Sequence, residues 1–169
     1  AESIKLAWRA SHPKIVRYWN DLESAARMAL HQPGSVQKAG ARGREVKFTK
    51  RGSFLFCILP SKRGICYPYA KIELVDTPWG EQKEGITYLS ENGLTRKWEK
   101  HVAYGGLFAE NITQGVSRDV MVDALFRLED KKYYPVMHIH DEIVTEVPKG
   151  FGSVLEMEQL MSIQPEWAA

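Results

Sequence analysis

The amino-acid sequence predicts an α+β fold in which an antiparallel sheet and a β-hairpin pack against long helices. Apolar residues recur at helical spacing in 12–31 and again in 104–130. Strand-length apolar runs lie between these two segments, and a second pair of short runs follows them around a polar turn at 138–142. Blocks of helix and hairpin in this order are typical of α+β domains.

The first predicted helix covers 12–31. Ser11 is a suitable N-cap and Pro13 is tolerated in the first turn. Gln32, Pro33 and Gly34 then end the helix, as Pro and Gly commonly do. The apolar positions that share one face are Ile15, Trp19, Leu22, Ala26 and Ala29.

The middle of the chain is expected to form a hairpin and then a loop-rich stretch. A basic, glycine-containing segment at 35–52 precedes an apolar run of strand length at 53–59. The turn signal at 60–64 is followed by a returning strand at 65–74 with a break at Pro68. Beyond it, Thr77-Pro78, Gly80, Gly85 and Gly93 indicate loops.

A long helix is predicted from about Tyr104 to Asp130, and a final helix from about 153 to 163. The long helix carries two stripes with a step of four residues, so the side chains of each stripe stack along one side. The polar stripe is Glu110, Gln114 and Arg118, and the apolar stripe is Ile112, Val116, Val120, Ala124 and Leu128.

Composition excludes some classes of protein. The 169 residues are 44% hydrophobic, which suits one folded domain. No apolar stretch approaches the roughly 20 residues of a transmembrane helix, and no secretory signal is visible. Cys57 and Cys66 are expected to be reduced thiols, although they could pair across a hairpin.

Charge is distributed unevenly along the chain. Residues 1–71 hold 14 basic and 4 acidic residues, whereas 72–169 hold 9 and 17. The asymmetry suits a polyanion-binding face beside a metal-binding face, or it is a solvated surface without further meaning.

A compact polar group lies between two apolar runs at 135–147. His138, His140, Asp141 and Glu142 are predicted at the tip of a hairpin with its tight turn at His140-Asp141. Two adjacent carboxylates suit Mg²⁺, which prefers oxygen ligands. Alternatively, His138, His140 and Glu142 on one strand face could bind a transition metal in a hydrolase, or the tip is a solvated polar turn.

The segment from His138 to Val147 resembles motif C of family A (DNA polymerase I-like) DNA polymerases. Residues 104–121, with Asn111-Ile-Thr-Gln114, are similar to the helix that precedes motif C in the phage branch of that family. Leu59-Pro-Ser-Lys-Arg63 is similar to the family's Leu-Pro-Ser-Gly-Arg turn, with Lys62 in place of the glycine. Trp8-Arg9 and His12 to Trp19 resemble the segment that follows motif B.

The resemblance implies a part of a polymerase palm with a two-metal mechanism that uses Mg²⁺, with Mn²⁺ as an alternative. It implies that Asp141 is the motif C metal ligand, that Glu142 supports the metal site, and that His140 lies near the primer end. It also implies DNA contacts for Gln114, Asn111, Arg118 and Arg63, and partners that comprise primer–template DNA and dNTP.

Motifs A and B, the thumb and any exonuclease region have no counterpart in 1–169, which is therefore expected to be a single partial palm domain with an adjoining helical segment. A chain with carboxylates on one side of the metals is expected not to extend primers alone. Its unpaired sheet edge would favour the missing N-terminal half or a dimer. A bacterial cytoplasm, as for a phage or prophage product, is the expected location.

Two other functions compete with the polymerase reading. A polymerase-derived remnant could act only as a module that binds nucleic acid or protein, through the basic segment 35–52 and the aromatic residues Phe54, Phe56 and Tyr67. A metal-dependent hydrolase built on the two histidines would bind zinc through His138.

Overall fold

The computed structural model describes residues 2–77 and 80–168, and it divides into two compact units, Ala1–Thr113 and Gln114–Ala169. The described residues form four α-helices and antiparallel sheets, which confirms the predicted α+β class. The single partial domain stays a prediction.

The first unit begins with two helices, α1 (Glu2–Ser11) and α2 (Pro13–His31). The predicted helix at 12–31 is confirmed as α2, with its end at Gln32 and Gly34 at φ +84°. Ser11 as the N-cap of α2 was wrong. The chain is already helical before Ser11, whose hydroxyl donates to the carbonyl of Ala7, so His12 takes the cap position.

A four-stranded sheet, called sheet A, follows α2. Its strands are β1 (Gln37–Ala39), β2 (Val46–Arg51), β3 (Phe54–Ile58) and β4 (Gly64–Pro68), paired antiparallel in chain order. The predicted strand at 65–74 does break at Pro68. Its two parts belong to different sheets, and Tyr69 between them has φ +54°.

The expectation of loops throughout 75–103 was wrong. Strands β5 (Lys71–Asp76), β6 (Gln82–Glu91) and β7 (Trp98–Ala103) form a three-stranded antiparallel sheet there, called sheet B. Gly85 lies inside β6, where a Cβ would approach the Val75 side chain to 2.6 Å. The glycine therefore serves close packing within a strand and does not break it. Pro78 lies outside the described residues.

One face of sheet A forms the core of the first unit. Phe48, Leu55, Cys57 and Tyr67 are at most 2% exposed and share this face through the strand register. The ring of Phe108 packs edge-on against Phe48 at 5.3 Å and against Tyr67 at 5.1 Å. Burial of this face stabilises the unit because it removes large apolar side chains from water.

The two cysteines lie on opposite faces of sheet A, and both are free, as predicted. Cys57 on β3 pairs with Ile65 on β4, whereas Cys66 on β4 pairs with Phe56 on β3, so the two cysteines are offset by one residue. Burial raises the pKa of the Cys57 thiol to about 12. Cys57 is therefore a core residue and not a reactive thiol.

The long helix α3 (Gly105–Asp130) confirms the helix predicted at 104–130. It starts where the chain approaches α2 closely, because a Cβ on Gly105 would lie 2.1 Å from the carbonyl oxygen of Trp19. The Glu23 carboxylate accepts a hydrogen bond from the Gly105 amide at 3.1 Å. An acidic group at a helix N-terminus is favoured by the helix dipole.

The second unit holds the rest of α3 and the elements after it. These are β8 (Pro135–Ile139), β9 (Glu142–Thr145), α4 (Val154–Met161) and a 3₁₀ turn at Glu166–Ala168. The final helix predicted at 153–163 is confirmed as α4. Of the predicted apolar stripe, Ile112, Ala124 and Leu128 are buried, whereas Val116 and Val120 are half-buried.

Replacement of Glu73 by Gln is expected to make stability less dependent on pH in acid. Hydrogen bonds from Lys100, Lys71 and Thr87 lower the pKa of the Glu73 carboxyl from 4.5 to about 2. Because the folded state holds the ionised form, this stabilisation is complete above pH 4.5 and is lost as the pH falls towards 2.

The measurement is urea unfolding of the wild type and of Glu73→Gln between pH 7 and pH 2. The difference in free energy of unfolding should shrink as the pH falls. Glu84→Gln, on the neighbouring strand, is the control. A difference that stays constant down to pH 2 would show that the carboxylate is not held by these lysines.

Candidate active site

The polar group at 138–142 forms the tip of a hairpin, as predicted. Ile139 pairs with Glu142, which leaves His140 and Asp141 as a two-residue turn between β8 and β9. His140 has φ +51°, in the left-handed region that side-chain-bearing residues adopt at a cost. Strained residues of this kind cluster at functional sites, so the turn is a candidate site on conformational grounds as well.

An open cleft of about 630 Å³ lies between the hairpin and the two helices of the second unit. Helix α3 contributes Gln114 and Arg118, and the hairpin contributes His138, His140 and Asp141. The floor is apolar, with Met121 and Ala124 of α3, Ile143 of β9 and Met161 of α4. A cleft with an apolar floor and a few convergent polar groups is typical of a binding site.

Arg118 and His138 contact each other across the cleft wall. The two terminal guanidinium nitrogens lie 3.3 Å from the two ring nitrogens of His138. A neutral imidazole has only one acceptor nitrogen, so at most one of these two contacts is a hydrogen bond that the guanidinium donates.

Helix α4 is anchored to the base of the hairpin by the Tyr133 hydroxyl. This hydroxyl donates to the Glu156 carboxylate at 2.8 Å and accepts from the Ser153 amide at 3.0 Å. Gly152, with φ +61°, is required beside it because a Cβ would come within 2.4 Å of the same oxygen. Ser153 also caps α4 by accepting from the Glu156 amide.

The other end of α4 is anchored to α3 by Arg127. Its guanidinium donates to the carbonyls of Leu160 at 2.9 Å and Ile163 at 2.8 Å, and it pairs with Asp123. Carbonyls near a helix C-terminus lack intrahelical partners, so the half-buried guanidinium of Arg127 is well placed there. The anchor fixes the segment that presents Met161 to the cleft.

The structure brings four of the seven predicted site residues together, namely Gln114, Arg118, His140 and Asp141. Glu142 is exposed on β9 and does not line the cleft, since adjacent strand residues point to opposite sides. Asn111 and Arg63 belong to the first unit. There the Asn111 amide donates to the Tyr67 hydroxyl at 3.1 Å, and Arg63 lies in the exposed turn before β4.

The donor set at the tip fits a hard cation better than zinc. Asp141 and Glu142 offer exposed carboxylate oxygens, and Mg²⁺ needs only one or two of these because it retains waters and takes phosphate oxygens. Across 2–77 and 80–168 no group of three or more His, Cys, Asp or Glu side chains is arranged to hold a metal. A zinc site needs at least three such ligands, and the hydrolase hypothesis stays a prediction.

Sequence reasoning missed several residues that shape the cleft. His138 was considered only as a metal ligand of the alternative hydrolase, and its contact with Arg118 was not foreseen. Tyr133 and Arg127 were not identified. A tyrosine just after the predicted helix, before a Gly-x-Gly-Ser cap signal at 150–153, was the available clue for the Tyr133 anchor.

The chain is similar to the DNA polymerase of Bacillus phage SP02. The two are 37% identical over 164 residues, which cover 96% of this chain and 24% of that polymerase. The chain thus spans about a quarter of the length of its relative. The matched region covers 96% of the chain and therefore extends into both units.

Other comparisons give no match. No family model matches the sequence, and no solved structure matches the fold. Among the described residues, no helix is long and apolar enough to cross a membrane.

His140→Gly is expected to be more stable than His140→Ala by about 1 kcal/mol. At φ +51° an alanine keeps the steric cost of the left-handed region, which glycine does not have. Urea unfolding of both variants measures the difference. The same pair at Ile139, which is not among the positive-φ residues, should show the reverse order. Equal stability of the two His140 variants would show that the turn is unstrained.

Arg127→Met is expected to lower the free energy of unfolding by about 1.5–3 kcal/mol. The change leaves two α4 carbonyls and the Asp123 carboxylate without their charged partner. Thermal and urea unfolding measure the loss. Lys131→Met, which removes an exposed charge close by, should change stability by less than about 0.5 kcal/mol. Equal effects of both changes would contradict the anchor.

Proposed function

We propose that this chain is part of a family A, template-directed DNA polymerase, in which it forms the portion of the palm that carries the motif C hairpin. The observation that carries the proposal is the exposed, strained His140-Asp141 turn at the mouth of a cleft walled by Gln114 and Arg118. The similarity to the phage SP02 DNA polymerase supports the polymerase part of the proposal.

In this proposal Asp141 is the principal metal ligand, and its exposed carboxylate is accessible to a hydrated cation. Glu142, which does not line the cleft, supports the site as a weaker or indirect ligand. Bound Mg²⁺, or Mn²⁺ in its place, would polarise the attacking hydroxyl and neutralise charge on the nucleotide phosphates. The main chain of the turn fixes Asp141 before a substrate arrives, and such preorganisation is what catalysis by positioning requires.

The remaining cleft residues bind the nucleic acid. Gln114 can donate and accept hydrogen bonds at the edge of a base or sugar, and Arg118 supplies a positive charge for a phosphate. The contact with His138 holds the Arg118 guanidinium beside the cleft. We assign His140, beside Asp141, to the primer end. Asn111 and Arg63 contact DNA outside the cleft.

Asp141 and Glu142 would supply one side of a two-metal site, so we expect the 169-residue chain alone not to extend primers. Its partners are primer–template DNA, dNTP and the remainder of the polymerase. The two-stranded sheet β8–β9 has free edges for a further strand, from that remainder or from a second copy. The assembly acts in the cytoplasm of the bacterial host.

Primer extension by the complete gene product tests the proposal. Asp141→Asn should lower the rate of nucleotide addition by about a thousand-fold or more, because the metal-binding charge is lost. Binding of primer–template DNA in EDTA should be unchanged, since the substitution leaves the DNA-contacting residues in place.

Asp130→Asn, an exposed carboxylate at the end of α3, is the matched control and should extend primers at the wild-type rate. Wild-type extension by the Asp141→Asn protein would exclude this carboxylate as a metal ligand. A complete gene product that binds primer–template DNA but never adds nucleotides would exclude the polymerase function itself.

A further inference from the structure

The polymerase proposal does not use the face of sheet A opposite its buried core. This face carries Lys38, Lys47, Thr49, Arg51, Phe54, Phe56 and Cys66; Thr49 is buried among its neighbours and Phe56 is half-buried. The strand register places them together, because directly opposed residues and those two positions apart share one face. We call this the outer face.

Three aromatic rings form a track at one end of the outer face. Phe54 lies 6.2 Å from Phe56 and 6.0 Å from Tyr69, measured between ring centroids. Phe54 is 40% exposed and Tyr69 is 57% exposed, so neither ring is part of the core. The ring plane of Phe54 is inclined by 43° to that of Phe56 and by 44° to that of Tyr69, so the rings present separate faces.

The rings are spaced for an extended strand. A spacing of about 6 Å is roughly twice the ~3.4 Å between successive nucleotides of a stacked strand. Bases that each stacked on one ring would therefore be separated from one another, as in a strand drawn out over a protein surface.

Cations lie on the same face. Lys38 and Lys47 are directly opposed on β1 and β2, and Arg51 opposes Phe54. Like charges in direct opposition destabilise a sheet, and the Glu45 carboxylate offsets part of this repulsion. Backbone hydrogen bonds, and then the charges of Lys38 and Lys47, lower the pKa of Glu45. It is the one acidic residue in 35–70, against eight basic residues in that segment.

We propose that the outer face binds single-stranded nucleic acid without regard to sequence. The phosphates would lie along Lys38, Lys47 and Arg51, and the bases would stack on Phe54, Phe56 and Tyr69. Exposed aromatic rings beside a row of cations are the combination that such strands require. The proposal does not depend on the metal hairpin, since every residue it uses belongs to the first unit.

A single strand fits the outer face better than a duplex does. The bases of a duplex are stacked on each other and cannot reach the rings, so a duplex would use the cations alone. Tyr67, which the sequence suggested for this role, is 2% exposed on the buried face. Tyr69, two residues later, supplies the third ring of the track instead.

Fluorescence anisotropy of a labelled twelve-residue oligothymidine with the 169-residue chain in EDTA tests the proposal. Phe54→Ala and Tyr69→Ala should each weaken binding by about five-fold to a hundred-fold, the range for the loss of one stacked base. Phe54→Trp, which keeps an aromatic ring at this position, should retain the binding that Phe54→Ala loses. Lys47→Ala should make the slope of log K against log salt less steep by about 0.7.

Matched controls lie on sheet B. Trp98→Ala removes an exposed ring and Lys83→Ala an exposed cation, and neither should change affinity by more than about two-fold. Circular dichroism checks that each variant is folded. The proposal is overturned if the oligonucleotide does not bind at low salt, if the outer-face variants behave like the controls, or if a blunt duplex binds as tightly.

Asp141→Asn separates this proposal from the polymerase function. It should leave oligothymidine binding in EDTA unchanged. A chain that binds the single strand through the outer face, while the gene product fails to extend primers, would retain this inference and reject the other.

Discussion

The close approach of α3 to α2 at Gly105 is the constraint on which much of the structure depends. The helix can start there only because residue 105 has no side chain to collide with the main chain of Trp19. Glu23 then binds the first amide of α3 and the Arg27 guanidinium, which also donates to the carbonyl of Glu84. One carboxylate thus fixes the start of α3 and links α2 to β6.

The same helix takes part in both units. Its first three turns place Phe108 against sheet A, and its later turns place Gln114 and Arg118 in the cleft wall. The four-residue step keeps the polar residues on one side of the helix and the buried ones on the other. The residue spacing along α3 thereby determines which of its side chains line the same cleft as Asp141.

The sequence predicted the regular parts of this fold better than the exceptional ones. The helical stripe at 112–128 and the tight turn at His140-Asp141 were correct, because long periodic segments and short hairpins are encoded locally. Sheet B was missed because Gly85 resembles a loop signal in sequence, whereas its role is to fit against Val75.

The candidate site was predictable in its chemistry but not in its neighbours. Gln114, Arg118, His140 and Asp141 could be named from the sequence, and they do line one cleft. The contact between Arg118 and His138 and the role of Tyr133 could not be, because these contacts join residues far apart in sequence. The strand register was also needed to assign aromatic residues to the two faces of sheet A. It places Tyr67 on the buried face, and the ring distance to Phe54 identifies Tyr69 as part of the aromatic track.

Paramagnetic broadening by Mn²⁺ tests most directly whether Asp141 is a metal ligand. In the ¹⁵N-labelled chain, sub-stoichiometric Mn²⁺ should broaden the amide signals of 138–142 and of the cleft wall first, and excess Mg²⁺ should restore them. Asp141→Asn should abolish the effect. Broadening centred on another carboxylate, or unchanged in Asp141→Asn, would contradict a metal-binding role for the hairpin.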